Sequence, residues 1–144
     1  MLRKPHADQW LEEDSRVYFH PKNPYTRMDC LQSQRPIEIK IMGKTVAKTQ
    51  LSIHLLETGL PPRYYMPLTS IDQGVLRKSS QKTVCPYKGV ADHYSVAVGG
   101  KEMKDAAWCY ASPFHEVSAI AGMVCFYNEL VDIILDGELQ PRPS

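Results

Sequence analysis

Long hydrophobic runs are missing from this sequence. No stretch approaches the roughly 18 continuous apolar residues that a membrane-crossing helix takes, so a spanning helix is not expected and a membrane is not an expected partner. An excess of one charge is missing too. Seventeen Lys and Arg face sixteen Asp and Glu, for a formal net charge of +1. With no strong overall field to hold a polyanion, nucleic acid is not expected as a partner, although a local basic groove stays open. Paired cysteines are lacking: Cys30, Cys85, Cys109 and Cys125 are far apart with no C-x-x-C. That spacing predicts unpaired thiols in a reducing compartment rather than a disulfide framework. The phosphate-loop pattern GxxxxGK[ST] does not occur. This weakens any ATP- or GTP-based reading.

The 144 residues, 43% hydrophobic, form one domain with enough apolar content to fill a core without metal or disulfide staples. Residues 1–9 hold Arg3, Lys4, Pro5, His6 and Asp8 with no apolar segment behind them. They do not read as a signal peptide, and a cytoplasmic location is the expectation. Eleven prolines and eight tyrosines against three phenylalanines indicate many turns and a semi-polar interior or cleft. The reading divides the chain into an N-terminal extension (1–15), a β-rich domain (16–138) and a C-terminal tail (139–144). The acidic stretch from Asp8 to Asp14, with Trp10 and Leu11, is expected as a short helix lying over the domain.

Between the ends the dominant period is two. Ile37, Ile39 and Ile41 alternate with Glu38, Lys40 and Met42, giving a strand with one buried face; Gly43 and Lys44 turn it into a partner starting at Thr45. Leu51, Ile53 and Leu55 repeat the pattern. Tyr94, Val96 and Val98 share one face and His93, Ser95 and Ala97 the other, before a Gly99-Gly100 hairpin turn. Residues 106–110, 123–127 and 130–135 complete a mainly antiparallel set. Ser70 with Gln73 is a capping-box pattern that predicts a short helix over Ile71 to Leu76. Ser112 before Pro113 predicts a second one, ending at Gly122. Regular short strands with two brief helices point to a mainly β, single compact antiparallel domain, and not to βαβ units or a doubly wound crevice.

Three polar-aromatic clusters carry the chemistry. The first runs Glu57-Thr58-Gly59-Leu60-Pro61-Pro62-Arg63-Tyr64-Tyr65-Met66-Pro67, and the second Cys85-Pro86-Tyr87-Lys88-Gly89-Val90-Ala91-Asp92-His93-Tyr94. The third is Ala106-Ala107-Trp108-Cys109-Tyr110. Together with Cys125-Phe126-Tyr127 to Asp136-Gly137 they resemble the DUF427 family, whose blocks read approximately ETGLPxRYYxP, CPYKGxAxYW, AAWxYxxP and FYxxVDxxxDG. The resemblance covers about residues 16 to 138 and implies a β-tent-like domain related in shape to Mss4-like folds. A nucleotidyltransferase label accompanies the family without a residue-level mechanism, and such a reaction would need carboxylates paired around Mg²⁺. Asp132 and Asp136 read instead as strand-end residues. Where the family has an aromatic pair, this chain has His93 and Tyr94, which implies a smaller, wetter or titratable surface.

Glu57 is the leading candidate for chemistry. A carboxylate leaving an apolar strand is partly desolvated, which raises its pKa toward the range of a general acid or base. The alternative is a salt bridge to Arg63 that fixes the loop. Arg63 would brace that carboxylate or hold a ligand's carboxylate or phosphate. Lys88, between Tyr87 and Gly89, is an anion anchor, nucleophile or acid, or else a plain turn lysine. Tyr64, Tyr65, Tyr87, His93, Tyr94, Trp108 and Tyr110 would bind substrate if their strands converge, or fill a core if they do not. Neighbours such as Tyr64 and Tyr65 must point to opposite sheet faces, so one of each such pair can line a given cavity. His93 has a bland reading as a histidine facing solvent, and Cys85 as a buried inert thiol rather than a nucleophile.

Cys85, Cys109, His93 and His115 lack the short paired spacings of a zinc site, so no metal site is expected, nor any other cofactor. The expected assembly is one pocket between the Glu57–Tyr65 loop, the Lys88 loop and the Trp108–Tyr110 strand. It would serve a cofactor-independent isomerase, cyclase or lyase acting on a small oxygenated molecule. The alternatives are a module that binds a ligand or partner segment without turnover, and the nucleotidyltransferase of the family label. Oligomeric state stays open, a homodimer included.

Overall fold

The structure is a computed structural model and describes residues 27–143. The expected extension over 1–15 and its helix at 8–14 lie outside the described residues. Eleven strands follow in chain order: β1 (Met28–Ser33), β2 (Ile37–Ile41), β3 (Lys44–Thr49), β4 (Ser52–Glu57), β5 (Arg63–Met66), β6 (Leu76–Cys85), β7 (Gly89–Val98), β8 (Lys101–Cys109), β9 (Val124–Phe126), β10 (Asp132–Leu135) and β11 (Glu138–Leu139). They form two antiparallel sheets. The larger has the order β1-β4-β5-β9-β8-β7-β6 and the smaller β11-β10-β2-β3. The mainly β, antiparallel reading of the sequence holds, and among the described residues no helix is long and apolar enough to cross a membrane.

Tight turns explain the hairpins. Met42-Gly43, Gly99-Gly100 and Asp136-Gly137 each place two successive residues at positive φ, which matches the twist of the strands they join. The first of these turns lies one residue earlier than the sequence implied: Lys44 already pairs with Ile41 and opens β3. The expected helix over Ile71 to Leu76 is not formed. A 3-10 turn occupies Leu68–Ser70, Ser70 Oγ donates back to the Pro67 carbonyl at 2.6 Å instead of capping forward, and Ile71 bridges to Ala47. The second expected helix is a 3-10 segment, His115–Ile120, with no side-chain cap. Its buried Val117 and Ile120 join the second core, with the segment kinked at Val117, whose φ −124 and ψ 30 are not helical.

Two cores result. Ile37, Ile39, Ile41, Ile133 and Leu135 of the small sheet pack against Met66, Val96, Val98, Ala107 and Phe126 of the large one. On the far side of the large sheet a second cluster gathers Ile53, Leu55, Tyr65, Trp108, Tyr110 and Cys125 with Val117 and Ile120. Each fully buried large apolar side chain contributes about 1.5–3 kcal/mol, so this far face is a true interior.

The large sheet is strongly curled. In the strand order β4 is second from one edge, and the β6–β7 turn lies at the other. Four or five spacings of about 4.8 Å would separate them by roughly 19–24 Å in a flat sheet. Yet Glu57, closing β4, and Lys88, in that turn, are in contact at 2.6 Å. The sheet therefore wraps the second core into a cup.

Candidate functional site

The cup draws its polar groups from every cluster singled out in the sequence. Glu57 ends β4, and its Oε1 accepts from Lys88 Nζ at 2.6 Å; the two side chains are 9% and 10% exposed. Lys88 is presented by a turn with its backbone pinned on both sides. Its N–H donates to the Cys85 carbonyl and its own carbonyl accepts from Phe114 N–H at 2.9 Å. Gly89 follows at φ +115, and a Cβ there would lie 3.5 Å from the Ser112 carbonyl oxygen. A side chain at that position meets both strain and close backbone.

Arg63 is not the partner of Glu57. That salt bridge, one of the two sequence readings, is replaced by a fork onto Glu129: Nη1 to Oε1 at 2.7 Å and Nη2 to Oε2 at 3.1 Å. Nη1 also donates to Asn128 Oδ1, and Asn128 Nδ2 donates to the Pro62 carbonyl at 2.9 Å, tying down the Gly-Pro loop. The guanidinium lies 5.2 Å from the Trp108 ring centroid and 5.5 Å from that of Tyr127. Burial works against its charge, but the hydrogen bond it donates to Glu129 and the acidic groups of Cys125, Glu129 and Tyr127 outweigh it, and its pKa is raised. The same hydrogen bond holds the Glu129 carboxyl below the ordinary value.

Trp108 Nε1 donates to Tyr65 Oη at 2.9 Å, with the rings edge to face, and Trp108 packs on Tyr127 at 4.4 Å between centroids. Burial pushes the phenols of Tyr65 and Tyr110 well up. Cys85 and the Glu57 carboxylate add to the effect at Tyr110.

Tyr64 and Tyr94 follow the core alternative of the sequence. Both pack in the core between the sheets, on the opposite face from Glu57, as their neighbours Tyr65 and His93 require of an alternating strand. His93 corrects the solvent-facing alternative, being 5% exposed and paired across the ladder with Trp108. Tyr87 is half-buried in the Lys88 turn. The Cys125 thiol is pushed up to about 12 by burial, and burial also raises Cys30 and Cys109.

The expected pocket differs in place. Glu57 meets Lys88 directly, while Trp108 and Tyr110 pack with Leu55 in the second core. A cleft of about 260 Å³ opens instead at the end of β4, lined by Arg27, Asp29, Leu56, Glu57, Thr58 and Leu60. Another, of about 270 Å³, lies outside the cup, between Pro61, Tyr64, Asn128, Val131 and the C-terminal residues Pro141 and Arg142. Among the described residues no group of three His, Cys, Asp or Glu side chains is placed to hold a metal ion.

Asn128 and Glu129, the partners of Arg63, were not singled out by the sequence reading. Their signal was weak: two polar residues directly after an aromatic strand, matching nothing in the block pattern.

No curated protein matches the chain. The sequence does match the family described as a domain of unknown function, DUF427, over residues 29–137. That span takes in Glu57, Arg63, Lys88, Trp108 and Glu129, and the chain belongs to the DUF427 family.

Proposed function

We propose that the protein binds a small oxygenated organic molecule at the end of β4 and performs proton-transfer chemistry on it through Glu57 and Lys88. One observation carries the reading: Glu57 forms a nearly buried ion pair with Lys88 and at the same time lines an open cleft. A buried ion pair adds little net stability, because the desolvation of both charges offsets their attraction and an apolar pair of similar volume often does as well. Its place beside a cleft that Glu57 lines is therefore better explained by use than by stability.

In this reading the Glu57 carboxylate takes a proton from a carbon next to a carbonyl. The electron pair of the broken C–H bond moves onto the carbonyl oxygen, where the Lys88 ammonium stabilises the developing charge. The protonated Glu57 then returns the proton to another carbon, giving isomerisation; or the enolate electron pair forms a C=C bond as the bond to a leaving group breaks and Glu57 protonates that group, giving elimination; or the enolate carbon attacks a second carbonyl of the same molecule and Glu57 protonates the resulting alkoxide, giving cyclisation. Arg63 acts as a brace, since its donors are engaged by Asn128 and Glu129. Tyr65, Trp108 and Tyr110 hold the cup around the pair.

The test begins with untargeted capture of small molecules on the purified protein. Each captured carbon acid is then incubated in D₂O and its exchange followed by proton NMR. Deuterium uptake that Glu57→Gln abolishes while retaining affinity supports the reading. Tight binding without exchange at any pH points to a non-catalytic ligand-binding module.

A further inference from the structure

We infer that the molecule bound beside Glu57 is an oxo carboxylate, a short carbonyl compound with a carboxylate elsewhere on its skeleton, and that Arg27 holds that carboxylate. The inference rests on the reading of Glu57 and Lys88 as the reacting pair and adds the residue that selects the substrate.

Strand pairing brings Arg27 to this cleft. Met28 pairs with Glu57 in the β1–β4 ladder, so Arg27, one residue earlier, meets Thr58. Three hydrogen bonds fix that meeting. The Arg27 N–H donates to Thr58 Oγ1 at 2.9 Å, and the Thr58 N–H and hydroxyl donate to the Arg27 carbonyl at 2.9 and 3.2 Å. Arg27 and Glu57 thereby line the same cleft, with Asp29, Leu56 and Leu60. Among the residues that line it, Arg27 is the one cation. Its side chain is 80% exposed, and its Nε lies 3.2 Å from Asp29 Oδ2. Asp29 thus steadies one edge of the guanidinium, while the Nη1–Nη2 edge stands in water and can exchange that water for a ligand's oxygens.

Charge and size select the ligand's acid group. Around Glu57 the two cations, Arg27 and Lys88, are already matched by Asp29 and Glu57. Against that balance a single negative charge is tolerated, whereas a phosphate, carrying nearly two, meets two carboxylates with no surplus cation. A carboxylate is also planar and fits two parallel N–H donors. At about 260 Å³ the cleft lies below the usual range of ligand pockets, about 300–1,000 Å³, so the skeleton is short. The exposed Leu56 and Leu60 give its methylene groups apolar surface to cover.

The probes are 4-oxopentanoate and 5-oxohexanoate, each beside its methyl ester, which keeps the ketone and loses the charge. They are titrated into the full-length chain and followed by ligand-observed proton NMR. Saturable binding of at least one acid is expected, about tenfold tighter than its ester. Arg27→Gln leaves the backbone bonds to Thr58 in place and should bring the acid down to the level of the ester, while Glu57→Gln keeps the preference. Arg27→Lys retains the charge without the fork and should recover only part of the difference. Acid and ester bound alike, neither acid bound, or a preference that survives Arg27→Gln overturns the inference. Deuterium exchange into the bound acid is scored separately. Binding through Arg27 without exchange supports the carboxylate subsite and removes the proton-transfer reading; exchange with acid and ester bound alike does the reverse.

Discussion

Glu57 and Lys88 clasp the two ends of one curled sheet, 31 residues apart in the chain and 2.6 Å apart in space. The contact crosses the mouth of the cup instead of running along a strand. Neither side chain can leave without stranding the other in a nearly dry position.

Removing one partner should therefore cost far more than removing both. Lys88→Met is expected to destabilise the fold by about 3 kcal/mol, toward the lower end for a broken buried pair, because Glu57 remains without its counter-charge. Glu57→Gln combined with Lys88→Met should recover much of that loss. Urea unfolding of the two single variants and the double variant gives the coupling directly; additive losses would show that the pair does not act as a unit.

The Tyr65–Trp108 contact should behave as a buried hydrogen bond. Tyr65 is fully buried, and Tyr65→Phe leaves the Trp108 indole N–H without its acceptor. A loss of about 1–3 kcal/mol is expected from deleting one oxygen, readable by thermal melting against the parent chain. A neutral result would mean that water reaches the indole.

Acid should loosen the Arg63 brace before it touches the apolar cores. Glu129 has a carboxyl pKa lowered from 4.5, first by its hydrogen bond with Arg63. A depressed carboxylate contributes stability that is fully present above the unfolded value and is lost as pH falls below it toward the folded value. The melting difference between the parent and Glu129→Gln should thus be constant above about pH 5 and shrink progressively below pH 4.5.

His93 should titrate below its ordinary 6.5, because burial disfavours the imidazolium more than Asp105 and Asp92 favour it. Its folded pKa is depressed, so for a base the stability it provides is full above pH 6.5 and declines as pH falls from there toward the folded value. His54 is lowered as well, by burial and by Arg35, and contributes in the same direction. Histidine NMR titration of the native protein gives both midpoints, and His93→Gln should flatten part of the stability loss below pH 6.5.

Much of this architecture was written in the order of the residues. The Ile37-Ile39-Ile41 alternation and the opposed faces of Tyr64 and Tyr65 follow from the period of two, and the Gly99-Gly100 turn from its glycine pair. What escaped were β1 and β6, the edges of the large sheet. The β6 stretch Arg77-Lys78-Ser79-Ser80-Gln81-Lys82 is polar because an edge strand tolerates, and is protected by, charge. The helices escaped because tertiary contacts won locally: Ile71 bridges to the small sheet, and Val117 with Ile120 stops the cup as a 3-10 segment. In the site, the three clusters were legible as the source of the polar groups, but their pairing was not. Which carboxylate meets Lys88 depends on the curl of a seven-stranded sheet, a property no local pattern carries. Arg63 was given Glu57 as a partner because it was near in sequence, while the true partner, Glu129, lies 66 residues on.

The most direct measurement of the central claim is deuterium exchange, from D₂O into a compound captured by the native protein, compared with the same compound on Glu57→Gln. Exchange is expected at a carbon next to a carbonyl with the native chain and none with the folded, ligand-binding variant. Equal exchange by both proteins would contradict the claim.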